Sequence, residues 1–185
     1  MRNPLTPVIV VVYLAVAGIA VLWSWLFNDL TFHFTRGDDP MMWLRHLGMG
    51  AAAGLVIVIL TTLATENLAW ARALEDEFRK ILGPFELREA AMVALSSGIA
   101  EELLFRGAIQ DTVGLWPASI VFGLLHVGPG VRYLPWTLYA IAAGFFFGVL
   151  YDRGGLAPVM LAHVVVNFCG FARTGRRDRD ELFLR

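Results

Sequence analysis

Apolar runs long enough, or nearly long enough, to cross a bilayer recur along this chain, at residues 7–27, 43–63, 135–151 and 156–171. Crossing the hydrocarbon takes about 20 residues of helix, and with no water there the backbone must satisfy its own hydrogen bonds. The chain is therefore read as all-α: a polytopic membrane bundle of about six transmembrane helices plus one interfacial amphipathic helix. Composition agrees, being 57% hydrophobic and 17% charged, with a mean hydropathy of +0.62, far from a soluble domain. A net charge of -1 argues against a nucleic-acid partner. Cys169 is the only cysteine, so neither an intrachain disulfide nor a thiol pair for a metal is available.

The remaining elements follow from punctuation and periodicity. Residues 7–27 are too long for a signal-peptide core and are read as a retained first span. Residues 28–45 form a polar loop with Gly37 and Pro40. In residues 65–82, Leu68, Leu74, Phe78, Ile81 and Leu82 recur at helical spacing against Glu75, Asp76, Arg79 and Lys80. That is an amphipathic helix lying at the interface or extending the second span, with a solvated face and a Glu75 to Arg79 ion pair; it is also a candidate surface for partner docking. Gly83-Pro84 ends it. A long helix at 86–113, a short one at about 116–127 and two spans divided by Asp152-Arg153-Gly154-Gly155 complete a single integral membrane domain, 1–185, with a charged tail at 172–185. Gly50 with Gly54, and Gly144 with Gly148, have the small-xxx-small spacing that lets helices approach closely.

Ionisable groups inside such spans are costly, several kcal/mol each by the lower estimates, and mark function or a paired structural network. Glu101, Glu102 and Arg106 fall within residues 91–110; His126 follows another apolar run, and His163 and Asn167 lie in a third. At 1.5 Å per residue, Glu101 is roughly 18 Å from the turn after residue 113 and His126 roughly 14 Å from the same turn, while His163 and Asn167 lie roughly 12 and 18 Å from the turn before residue 156. All four reach one slab near mid-membrane. His163 and Asn167 share a helical face by their i, i+4 spacing, as do Glu102 and Arg106, which pair with each other. The short helix carrying His126 covers half the hydrocarbon and ends at Gly128-Pro129-Gly130, so unpaired backbone there calls for a water-filled cavity. His33 and His46, beside the polar loop, are read as incidental, and Asp111, Asp152 and Arg153 as caps or anchors at helix ends.

With the termini on one side of the membrane, eleven of the fifteen basic residues share that side: Arg2, Arg72, Arg79, Lys80, Arg88, Arg132, Arg173, Arg176, Arg177, Arg179 and Arg185. The positive-inside rule then places both termini in the cytoplasm, with a bacterial inner membrane as the default location.

EELLFR (101–106), FGLLH (122–126) and HVVVN (163–167) occur in order. They resemble the EExxxR, FxxxH and HxxxN motifs of the CAAX-processing and bacteriocin-processing membrane endopeptidases, relatives of the type II CAAX prenyl proteases, over a core of about 85–171. The resemblance implies a metal-independent, cofactor-free glutamate peptidase inside the bilayer, acting on a peptide or protein. Glu101 would be the general base on water, since desolvation moves a carboxylate toward the range useful for taking a proton near neutral pH. By the same resemblance His126 would hold that water, and His163 with Asn167 would form an oxyanion hole. Glu102 and Arg106 would be a supporting ion pair, with substrate orientation the alternative for Arg106; Phe122 would be an apolar wall. Three other functions stay open: a zinc peptidase, although no H-E-x-x-H is present; a proton-coupled transporter; and a non-proteolytic immunity or scaffold protein.

Overall fold

In a computed structural model the described residues are 3–37 and 39–183, with side chains described through Gly175. Arg2 and Arg185 of the orientation argument lie outside them, as do the side chains of Arg176, Arg177 and Arg179.

The chain is a helical membrane bundle: α1 (Leu5–Phe27), α2 (Pro40–Asn67), α3 (Ala69–Leu82), α4 (Leu87–Leu104), a π-helical stretch (Phe105–Gln110), α5 (Asp111–Val113), α6 (Leu115–Leu124), a 3-10 turn (Val131–Tyr133), α7 (Leu134–Gly154) and α8 (Leu156–Phe183). Four helices are long and apolar enough to cross a membrane: α1, α2, the 131–154 stretch containing α7, and α8 up to Gly175. The expectation of about six full spans is thus corrected in count. The rod running from α4 through the π stretch to α5 is about 40 Å long at helical rise, but it carries the charged side chains that distinguish it from an ordinary span. Helix α6 is only ten residues, about 15 Å.

Boundaries shift in ways that matter for the site. The short helix stops at Leu124, so His126 lies in the turn beyond it rather than on it. The last helix does not end near residue 171 but continues to Phe183, through most of the expected tail. The amphipathic segment is separate from the second span, because Leu68 adopts an extended conformation between them. Gly83, at φ +68°, terminates it.

Local chemistry explains where helices begin. Pro40 occupies the first turn of α2, and the Asp39 carboxylate accepts from the Met41 N–H at 3.0 Å. Glu86 and Glu89 form a reciprocal capping box at α4, and the other Glu89 oxygen accepts from the Asn3 N–H at 2.8 Å, tying the start of α1 to α4. The first N–H groups of α8 donate to the loop after α1, Leu156 to His33 O at 2.8 Å and Ala157 to Phe34 O at 2.9 Å. Gly155 precedes them at φ +86°, and a Cβ there would strike those same carbonyls.

Helix α8 is the centre of the bundle, packed between α2 and α4; α1 lies against α4, and α6 against α7. The main core joins Ala53, Phe147, Leu150, Tyr151, Leu156, Val159 and Ala162. Outward faces of α1 and α2 stay apolar, with Val11, Leu14, Trp25, Leu55, Ile59 and Leu60 all exposed, as expected of side chains whose solvent is lipid. The ends of two helices are joined by polar bonds: Gln110 Nε2 donates to Gly148 O at 3.1 Å and to Asp152 Oδ1 at 2.9 Å, and Tyr151 Oη donates to Asp111 Oδ2 at 2.8 Å.

Small residues set the closest approaches. A Cβ at Gly50 would overlap the Pro158 carbonyl, and one at Gly54 would lie 2.9 Å from Ala162 O, so α2 and α8 touch backbone to backbone. Gly48, one residue pair away on α2, has nothing within 4 Å. Gly50→Val should lower stability by about 1–3 kcal/mol through overpacking, while Gly48→Val leaves it nearly unchanged; thermal unfolding in detergent distinguishes the two.

Candidate functional site in the bundle interior

Five polar groups from three segments, Glu101 with Glu102 and Arg106, His126, and His163, converge between α4, α7 and α8. Helix α4 delivers Glu101 and Glu102, which point about 100° apart because they are neighbours on a helix. Glu102 is completely buried and Arg106 nearly so, at 0% and 1% exposure. Arg106 Nη1 contacts both Glu102 oxygens at 3.0 Å, and Nη2 donates to Gly144 O at 2.9 Å on α7. The guanidinium also lies over three aromatic rings, 4.7 Å from the centroid of Phe122, 5.7 Å from Phe147 and 5.9 Å from Phe105.

Arg106 belongs to the π-helical stretch, which the sequence reading treated as ordinary helix. A π turn widens the backbone and changes which way successive side chains project. It directs Arg106 and Gln110 both to backbone carbonyls of α7, at Gly144 and Gly148. Glycine there keeps α7 close: a Cβ at Gly144 would meet Ser119 O at 3.2 Å, and one at Gly148 would meet Gln110 Oε1 at 2.6 Å.

His163 of α8 connects the two carboxylates. Its Nδ1 lies 2.5 Å from Glu102 Oε1 and its Nε2 lies 3.8 Å from Glu101 Oε2. An ionised carboxylate only accepts, so Nδ1 carries a hydrogen; Nε2 can donate in turn only when the ring is an imidazolium. His126 stands on the other side of Glu101, with Nε2 3.8 Å from the same Oε2. Its Nδ1 donates to Phe122 O at 2.7 Å, which in the neutral ring leaves Nε2 as an acceptor facing Glu101. Phe122 lies against His126 at 4.5 Å between centroids, and Phe147 lies against His163 at 5.1 Å. Thr137 Oγ1 donates to His126 O at 3.2 Å and anchors the turn on α7.

Glu101 Oε2 has no hydrogen-bond partner of its own. It is the one buried carboxylate atom in this cluster that faces two imidazole nitrogens without bonding either. The side chain of His126 is 24% exposed against 9% for Glu101 and 7% for His163, so the cluster opens outward past His126. A cavity at the Gly128–Gly130 break was the expectation. The two grooves that stand out lie elsewhere, between α1 and α4 and between α2 and α8.

Asn167 is held slightly apart. Its Nδ2 donates to Ser97 Oγ at 2.9 Å, one helical turn before Glu101. Ser97 escaped the sequence reading, although its i, i+4 relation to Glu101 was a usable signal. His33 and His46 are absent from the cluster's contacts. Among the described residues no three His, Cys, Asp or Glu side chains are grouped as a metal site requires.

Comparison with known proteins bears on these residues directly. A family model described as type II CAAX prenyl endopeptidase Rce1-like matches residues 83–169, the span that holds both glutamates, Arg106, both histidines and Asn167. The uncharacterized protein YpbD of Bacillus subtilis (strain 168) is 30% identical over 169 residues, covering 88% of this chain and 83% of YpbD. No solved structure matches. The chain is thus a multi-pass membrane protein, and it belongs to the Rce1-like family of type II CAAX prenyl endopeptidases.

Proposed function

We propose that the chain is an intramembrane glutamate endopeptidase that hydrolyses a peptide bond in a peptide or membrane-associated protein, without a metal cofactor. The observation that carries the reading is the unpartnered Glu101 Oε2, 3.8 Å from the Nε2 atoms of both His126 and His163. That separation is too long for a direct hydrogen bond, but one water about 2.8 Å from each atom spans it.

In the proposed reaction, water donates to Glu101 Oε2 and to the acceptor nitrogen of neutral His126. Glu101 takes a proton as the water oxygen bonds to the scissile carbonyl carbon. The same proton passes to the amide nitrogen as the C–N bond breaks, giving a carboxyl product and an amine. His163, doubly protonated with Glu102 as counter-ion, donates from Nε2 to the oxyanion; Asn167 adds its second amide hydrogen, the first being held by Ser97. Such donors, fixed where water is scarce, are worth about 3–4 kcal/mol each in the transition state. Glu102 and Arg106 act as support, since Arg106 directs Nη1 to Glu102 and Nη2 to the Gly144 carbonyl. The bias of basic residues toward one side supports a reading with both termini in the cytoplasm, and a bacterial inner membrane is the proposed location.

Glu101→Gln in the detergent-solubilised protein should reduce cleavage of a membrane peptide by at least about a hundredfold, with His126→Ala and His163→Ala similarly impaired and all three still folded. Wild-type turnover should survive strong chelators, and membranes carrying Glu101→Gln should accumulate uncleaved precursors by comparative proteomics. Full turnover in a folded Glu101→Gln protein removes the proposed base. A second prediction concerns the supporting pair. Arg106→Leu leaves the buried Glu102 carboxylate with His163 alone and should cost about 3–5 kcal/mol in unfolding free energy, with partial recovery in the Arg106→Leu/Glu102→Leu double variant.

A further inference from the structure

His126 lies in a turn, between the end of α6 at Leu124 and the Gly128-Pro129-Gly130 break that precedes α7. Its N–H donates to Gly123 O at 3.0 Å, and its carbonyl accepts from the Thr137 hydroxyl. Two aromatic rings lie beside its imidazole. Phe122 is 4.5 Å away between centroids, and Trp136 of α7 meets it edge-to-face at 5.8 Å with 62° between the planes. Tyr133 is buried over the Gly128 backbone, where a Cβ would strike its ring. Trp136 is braced in turn: it stacks on Tyr139 at 5.6 Å and meets Phe78 of α3 at 5.0 Å, and Phe78 also lies 5.8 Å from Tyr133. Glu77, next to Phe78, lies 3.5 Å from Arg132. Helix α3 is wholly outside residues 83–169, the span of the family match, yet its Phe78 ends a chain of ring contacts that begins at His126.

We infer that Trp136 is a positioning residue for His126, braced from α3 by Phe78. The second torsion of an imidazole is broad and roughly two-fold, so the ring has two orientations related by a half-rotation. In the observed one Nδ1 donates to Phe122 O at 2.7 Å and Nε2 faces Glu101 Oε2 at 3.8 Å. A half-rotation puts carbon in both places. That loses the bond to Phe122 and the acceptor on the Glu101 side. Because His126 stands at the open side of the cluster, it lacks close packing all round, and the indole beside it limits the rotation while the edge-to-face contact is itself attractive. Phe78 holds the indole there. A change in α3 therefore reaches the site without touching a reacting atom.

This inference rests on His126 as the group that holds the attacking water, and the test separates the two. Trp136→Ala, Trp136→Phe and Phe78→Ala are prepared in the full chain in lipid nanodiscs with nitrogen-15-labelled histidine, and the His126 ring signals are assigned by their loss in His126→Ala. In wild type those signals should report one tautomer, with hydrogen on Nδ1. Trp136→Ala should mix the tautomers of His126 and leave the His163 signals in place. Against a cleavable membrane peptide, its kcat should fall on the order of tenfold from lost alignment, with KM within about twofold, because substrate binding is untouched. Trp136→Phe should restore most of both, and Phe78→Ala, which keeps the indole, should shift both in the same direction by less. Should Trp136→Ala fail to fold, Phe78→Ala carries the test. Unchanged His126 signals in the folded variants overturn the inference. So do mixed tautomers with unchanged kcat, and so does a loss confined to KM, which would make Trp136 a substrate contact. If the wild type cleaves nothing and the tautomers still mix, the positioning of His126 stands and the peptidase reading falls.

Discussion

The bundle is organised around one buried carboxylate, Glu102, shared between Arg106 on its own helical rod and His163 on α8. None of the three is solvated, and an ion left alone at that depth would cost several kcal/mol. Each must therefore keep its partners, and the partners come from different helices. Arg106 reaches on to the Gly144 carbonyl of α7, so one ionic network joins α4, the π stretch, α7 and α8. His163 lies between both carboxylates, against Glu102 and facing Glu101.

Everything around this network serves to let the helices come near enough. Gly50 and Gly54 admit α8 against α2, Gly98 admits Val164 of α8 against α4, and Gly144 admits α6 against α7. In lipid there is no hydrophobic force between helices, so close packing and polar bonds hold them. The consequence is a bundle whose exterior is greasy and whose polar chemistry is confined to the centre. Functionally this places a carboxylate beside two imidazoles, where desolvation strengthens every electrostatic interaction. The outlet past His126 gives the cluster contact with the outside without opening the ionic pair itself.

Reading the chain alone reached the helical class and the family, because both depend on local signals: apolar run length, and the short motifs 101–106, 122–126 and 163–167. Counting rise per residue was enough to place Glu101, His126 and His163 at similar depth, since depth along a helix is a one-dimensional quantity. Counting spans was less successful. A helix that stops at residue 124 and a rod carrying buried charges both depart from the run-length rule, the first because it is only ten residues long and the second because ionisable side chains interrupt its apolar run.

What the amino-acid order determined by itself was which residues are hydrophobic, where most helices start and stop within a few residues, the end of α8 excepted, and which polar groups must be hidden. What only tertiary structure decided was direction. That His163 bonds Glu102 while facing Glu101, that Asn167 turns to Ser97, and that the π turn aims Arg106 at Gly144 all depend on how helices are rotated about their axes. Rotation is set by the sum of many contacts between segments far apart in sequence, and no local pattern contains that sum.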